Sequence, residues 1–206
     1  VFVGAAVVQS VLVAALDVRL FWVLGIAWAY LGLMCVEFFA RDWLKKRPTV
    51  YLVSHMGIMP LVDFFGTACE WLPRAGAAPA GLGWFLAASF FNGIVIEVGR
   101  KLRQPADEED GVETYSRLWG MRGGLWVWLA ALVATFACAC LAAAAIGFAM
   151  PVAVGLLLVA GVAAVAGGRY LKGLWSGKRL EAVSALWTLV LYLMLGLVPL
   201  VVSLVS

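Results

Sequence analysis

LWVWLAALVATFACACLAAAAIGF, residues 125–148, decides the fold: it runs from Leu125 to Phe148 without a single charged side chain. An α-helix needs roughly 20 apolar residues to cross the hydrocarbon core of a bilayer. Backbone N–H and C=O groups cannot go unpaired in lipid, so a run of this length and composition is read as a membrane-spanning helix. Working outward, six more stretches are of the same kind: Val1–Leu16, Leu20–Val36, Val50–Ala68, Ala80–Val98, Val152–Ala166 and Ala182–Val205. The sixth span extends through its glycine-rich end to Tyr170. The spacing predicts an all-α, polytopic bundle of seven spans, a single transmembrane domain over residues 1–206.

Composition supports that reading. Of the 206 residues, 65% are hydrophobic and 13% charged, where a soluble domain is about half apolar and a quarter charged. An ordinary soluble protein is excluded, and so is a disordered chain, which needs the opposite balance. A net charge of +3 is too mild to argue for nucleic acid, and the expected partner is membrane lipid. Cys35, Cys69, Cys138 and Cys140 lie in apolar stretches without C-x-x-C spacing, so buried, unpaired thiols are expected.

The cations orient the bundle. The six connections are Asp17–Arg19, Ala40–Thr49, Glu70–Pro79, Gly99–Gly124, Ala149–Pro151 and Gly167–Glu181. Of 15 Lys and Arg, only Arg19 and Arg74 fall on the odd-numbered ones. Cytoplasmic loops carry the excess of Lys and Arg. The even connections and residue 1 are therefore expected on the cytoplasmic side of an inner membrane, and the C-terminus outside. Trp43, Trp71, Trp84, Trp119, Trp126 and Trp175 fall near expected helix ends, where interfacial anchors belong. A retinal protein is excluded, since the seventh span has no Lys for a Schiff base.

Polar chemistry collects in the fourth connection, the charged loop at residues 99–124. Asn92 and Glu97 sit on the last half of its helix; Arg100, Lys101 and Arg103 follow; then come Asp107, Glu108, Glu109 and Asp110. Hard cations such as Mg²⁺ are held by one or two carboxylates plus a substrate phosphate, and neighbouring Arg and Lys would grip the same phosphate. A metal-bridged diphosphate and a solvated, charge-balanced loop are both consistent with this run. On the second connection, Lys45, Lys46 and Arg47 either meet phosphate or set topology against anionic lipid. His55 lies about 9 Å inside the third span and Asn92 about 10 Å from the exit of the fourth. A shared pocket or a satisfied interhelical donor would each explain His55. Asp63 is expected to face the bundle interior, bonded to a helix kinked at Pro60.

Three segments carry a resemblance. IEVGRKLRQPADEEDGVETYSRLWG (residues 96–120) resembles the second aspartate-rich region of the UbiA superfamily of intramembrane prenyltransferases, and EFFARDWLKKRP (37–48) and LVSHMGIMPLVDFF (52–65) look like one bacterial branch of it. That family has nine membrane helices, and placing the acidic loop after the sixth makes this chain helices three to nine. The resemblance then implies two helices and a first acidic motif upstream of Val1. It also implies Mg²⁺-dependent transfer of an isoprenoid from isoprenyl diphosphate to an acceptor. Asp107 and Asp110 match the second motif, with Glu97 in an upstream acidic position, as catalytic and metal-holding carboxylates. Arg100 and Lys101 would hold the diphosphate, and Asn92, His55 and Tyr115 would line the pocket. The alternative is a catalytically idle member serving as a structural subunit among other membrane subunits.

Overall fold

The computed structural model describes residues 2–205, and the described residues are helical, joined by turns and short loops. The elements are α1 (Phe2–Leu16), α2 (Leu20–Cys35), α3 (Arg41–Lys45), α4 (Pro48–Met56), α5 (Ile58–Arg74), α6 (Leu82–Arg100), α7 (Tyr115–Ala144), α8 (Ala149–Leu171), α9 (Gly177–Tyr192) and α10 (Val198–Val205). Five helices are long and apolar enough to cross a membrane: Pro48–Arg74, Leu82–Arg100, Tyr115–Ala144, Ala149–Leu171 and Gly177–Val205. The first two expected spans are shorter apolar helices, Gly4–Leu16 and Leu20–Cys35. The chain divides into two compact units, Val1–Leu82 and Gly83–Ser206.

In the first unit, α2 packs on α5 through Leu20, Leu24 and Ala68, with Val13 of α1 completing the core. The α1–α2 corner is pinned by charge. Arg19 donates to Asp17 through Nε and Nη2 and reaches the Leu72 carbonyl at 2.8 Å. These bonds hold the Asp17 carboxyl below its usual range, the side-chain hydrogen bond from Arg19 being the main cause. The third expected span is broken, and the break lies at Gly57, not at Pro60. Pro60 sits in the first turn of α5, where its missing N–H costs nothing. The α4 end it leaves is capped from outside: the Tyr30 hydroxyl donates to the Ser54 carbonyl at 2.5 Å. A Cβ at Gly57 would overlap the Tyr30 hydroxyl, so any larger residue there would have to push that hydroxyl from Ser54.

In the second unit α7, α8 and α9 pack in sequence. On α8, Val152, Leu156, Val159, Ala163, Ala166 and Tyr170 point inward at heptad-like spacing, while Val154, Leu157, Leu158 and Val165 lie exposed. A helix that is apolar on both faces belongs in lipid, and its inner face shows the small residues that let backbones approach. Gly167 is such a contact, where a Cβ would stand 3.1 Å from Leu125. After α9 the chain makes one wider turn at Leu193–Leu197. Pro199 follows in α10, and its missing N–H explains the irregularity. Among the cysteines, Cys138 is buried and Cys69 and Cys140 partly so, but Cys35 is exposed, contrary to expectation.

Candidate functional site

The charged connection of the second unit is narrower than its sequence suggests. Helix α6 continues to Arg100 and α7 begins at Tyr115, so the loop is confined to 101–114. Thr114 caps α7 by accepting from the Arg117 amide at 3.2 Å. At Gly120, with φ +71°, the chain turns from this opening piece into the long span, a backbone state glycine adopts freely.

At the exit of α6, helical spacing brings Glu97 beneath two cations: Arg100 Nη2 at 2.6 Å and Lys101 Nζ at 2.9 Å. Glu97 is mostly buried, whereas the Arg100 side chain is half exposed and Lys101 one-third exposed. Lys101 also stands 5.7 Å over the Tyr115 ring, which stacks on Trp119. The cluster is therefore cationic toward solvent. Arg100 carries more N–H donors than Glu97 can accept from, and those remain for an anion.

The loop beyond is latched to the bundle. The Arg103 amide donates to Ser116 Oγ at 2.9 Å, and the Tyr170 hydroxyl donates to the Arg103 carbonyl at 2.8 Å. Gln104 Nε2 spans the carbonyls of Tyr170 and Trp175 at 2.7 and 2.9 Å. Leu102 is fully buried between Gly124 and Gly177. Of the four consecutive carboxylates, Glu108 is built in: it accepts from Thr114 Oγ1 at 2.7 and 2.8 Å and from Ser116 Oγ at 2.8 Å. Asp107 lies exposed on a short turn. Asp110 stands in solvent with Arg117 3.6 Å away.

Mg²⁺ can be tested against these residues. Glu97 already serves two cations, Asp107 and Asp110 are exposed, and Glu108 serves two hydroxyls. Among the described residues no group of three His, Cys, Asp or Glu side chains is placed to hold a metal ion. As arranged, these carboxylates do not fit the ion.

The remaining expected residues lie deeper. Asn92 is fully buried; its Oδ1 accepts from Thr188 at 3.0 Å while its Nδ2 has no hydrogen-bond partner. Thr188 and Arg100, with Ile96, Glu181, Ser184 and Tyr192, line a groove of about 490 Å³ between α6 and α9. His55 belongs to the first unit, where its ring stacks on Tyr51 and meets Phe38 edge-on. Its Nδ1 donates to the Tyr51 carbonyl at 2.9 Å and its Nε2 faces Glu37 at 3.5 Å. That Glu37 oxygen is buried without a hydrogen bond. Glu37, Phe38 and Phe39 form a turn with φ of 51°, 51° and 56°, a left-handed stretch of three non-glycine residues.

Sequence reasoning passed over Gln104, Glu108, Ser116 and Tyr170 as functional positions. The Thr114–Arg117 cap had a local signal, a Thr opening a helix. Glu108 had none that separates it from the three carboxylates beside it. Comparison of the chain with family models, with curated proteins and with solved structures gives no match.

Proposed function

We propose that this protein is a UbiA-type intramembrane prenyltransferase. In that reading its two short apolar helices and five long ones are helices three to nine of the family's fold, set in an inner membrane with the charged loop on the cytoplasmic side. The supporting observation is the cationic cluster at the exit of α6. Arg100 and Lys101 are held by Glu97 and still open to solvent, at the place where the resemblance puts the diphosphate. Their contribution is to orient the leaving diphosphate and take up its charge as the carbon–oxygen bond breaks. In such a reaction the isoprenoid end has to lie away from the solvent-open cations, against the apolar helices, so that the acceptor and not water captures it.

The test is photocrosslinking of a radiolabelled isoprenyl diphosphate analogue to the protein in its native membrane, competed by unlabelled diphosphate. Arg100→Gln/Lys101→Gln is expected to weaken labelling at least tenfold. Equal labelling of wild type and variant would refute the assignment.

A second reading, an idle family member acting as a structural subunit, is favoured by one observation: Glu108 is committed to the loop's own hydroxyls and Asp107 and Asp110 face solvent. Failure of the wild-type protein to bind any isoprenyl diphosphate would select it.

A further inference from the structure

The connection between α8 and α9 concentrates charge that the fold does not neutralise. Arg169 closes α8, Lys172 follows, and Lys178 and Arg179 open α9. Among the described residues none of the four has a carboxylate within 4 Å. Arg19, Arg74, Arg100, Lys101 and Arg117 each face an acidic partner; among the described residues Arg41, Lys45, Lys46, Arg47, Arg103 and Arg122 do not. What sets the α8–α9 connection apart is the single ring that gathers two of its arginines. Lys178 and Arg179 also stand at a helix start, where positive charge is disfavoured unless an anion answers it.

The connection is rigid, not a loose tail. Gly173, with φ +69°, turns the chain as its amide donates to the Tyr170 carbonyl, and the Leu174 amide returns to Arg169 at 3.0 Å. Gln104 fixes the Trp175 carbonyl from the neighbouring loop. Trp175 in turn carries two guanidinium groups, Arg169 at 5.1 Å and Arg179 at 5.6 Å from its ring centroid. The indole therefore holds both of these arginines, neither of which has a carboxylate partner, at the end of the bundle.

We propose that this connection is a binding site for the headgroup of an anionic phospholipid, Arg169 and Arg179 holding the phosphate with Lys172 and Lys178 around it. The ligand's chemistry is a phosphate, and its source is lipid because of what lies beside the cations. Leu174 is 68% exposed and Leu171 41%, at the mouth of two helices apolar enough to span a bilayer. An aromatic ring, exposed leucines and unpaired cations at the ends of two such helices match a lipid's boundary between headgroup and acyl chain. A free phosphate would gain nothing from the leucines. The site does not depend on the prenyl-transfer reading and uses none of its residues.

The test is native mass spectrometry of the detergent-purified chain incubated with equal phosphatidylglycerol and phosphatidylcholine. Wild type is expected to retain phosphatidylglycerol preferentially. Arg169→Gln/Arg179→Gln should reduce that retention by about tenfold or more, each surface cation contributing roughly fivefold. The exposed pair Lys172→Gln/Lys178→Gln should give a smaller loss in the same direction. Arg19→Gln/Arg74→Gln, which removes two cations already paired with carboxylates, should change it little. Equal retention of the two lipids by wild type would overturn the proposal. So would undiminished phosphatidylglycerol in both loop variants, or displacement of the lipid by millimolar inorganic phosphate.

Discussion

Gly177→Ala tests the latch that holds the charged loop. Gly177 is buried at the start of α9, and a Cβ there would overlap the Leu102 carbonyl, with the Leu102 carbonyl carbon at 2.8 Å and Arg103 Cα at 3.2 Å. All three atoms are backbone, so no rotamer change can make room. Overpacking of this kind costs about 1–3 kcal/mol when the surroundings absorb it. If the loop instead backs away, it gives up the bonds from Gln104 to Tyr170 and Trp175 and from Tyr170 to Arg103, each contributing about 1 kcal/mol net. Alanine's better helix propensity returns at most about 1 kcal/mol. The expected result is a net loss of about 1–3 kcal/mol in reversible unfolding in mixed detergent, together with faster protease cleavage within residues 101–117. Gly161→Ala is the matched control, since nothing lies within 4 Å of its Cβ position; it should be neutral or stabilising by up to about 1 kcal/mol. If Gly177→Ala unfolds within about 0.5 kcal/mol of wild type, the ordinary scatter of surface substitutions, and its loop is cut no faster, the close approach to Leu102 is not what secures the loop.

Two further expectations follow from hydrogen bonds of the charged loop and of the α1–α2 corner. Glu108→Ala should accelerate proteolysis of the loop and lower stability by about 1–2 kcal/mol, since Thr114 and Ser116 lose a half-buried charged acceptor; Asp107→Asn and Asp110→Asn should do neither, and equal effects from all three would contradict the hydrogen bonding described. Asp17→Asn should weaken the α1–α2 corner at neutral pH. The folded carboxyl lies below its unfolded value of about 3.9, so its stabilisation is complete above that value and is lost as pH falls through the folded one. The gap between wild type and Asp17→Asn in thermal unfolding should therefore close under strong acid; a gap independent of pH would mean that the Arg19 pairing is not its source.

Much of the fold was legible because membrane helices announce themselves by composition. The α8 stretch is apolar on every face, and its end at Tyr170 was readable to within one residue of Leu171. The break in the third span was harder. Pro60 is the stronger local breaker, yet the break falls at Gly57 because Tyr30, far away in sequence, supplies a hydrogen bond to Ser54 and needs space at Gly57. At the charged loop, the pairing of Glu97 with Arg100 and Lys101 follows from i, i+3 and i, i+4 spacing, yet the sequence reading assigns Glu97 to a metal and the two cations to a diphosphate. The choice among four adjacent carboxylates was not legible, because it depends on which of them the turn at Pro105–Asp107 aims back at Ser116. The bond from Gln104 to Trp175 joins positions with no shared periodicity or motif, and only the assembled bundle brings them together.

The left-handed turn at Glu37–Phe39 inverts the usual rule of substitution. L-residues pay roughly 1–2 kcal/mol each for that handedness, and at position 38 the packing of Phe38 on Tyr30 and His55 offsets that cost. Phe39, 84% exposed, has no such packing to lose. Glycine or asparagine, poor choices in the helices on either side, should be welcome there. Over evolutionary drift, position 39 should wander toward small, turn-forming residues while 37 and 38 stay anchored by what they touch.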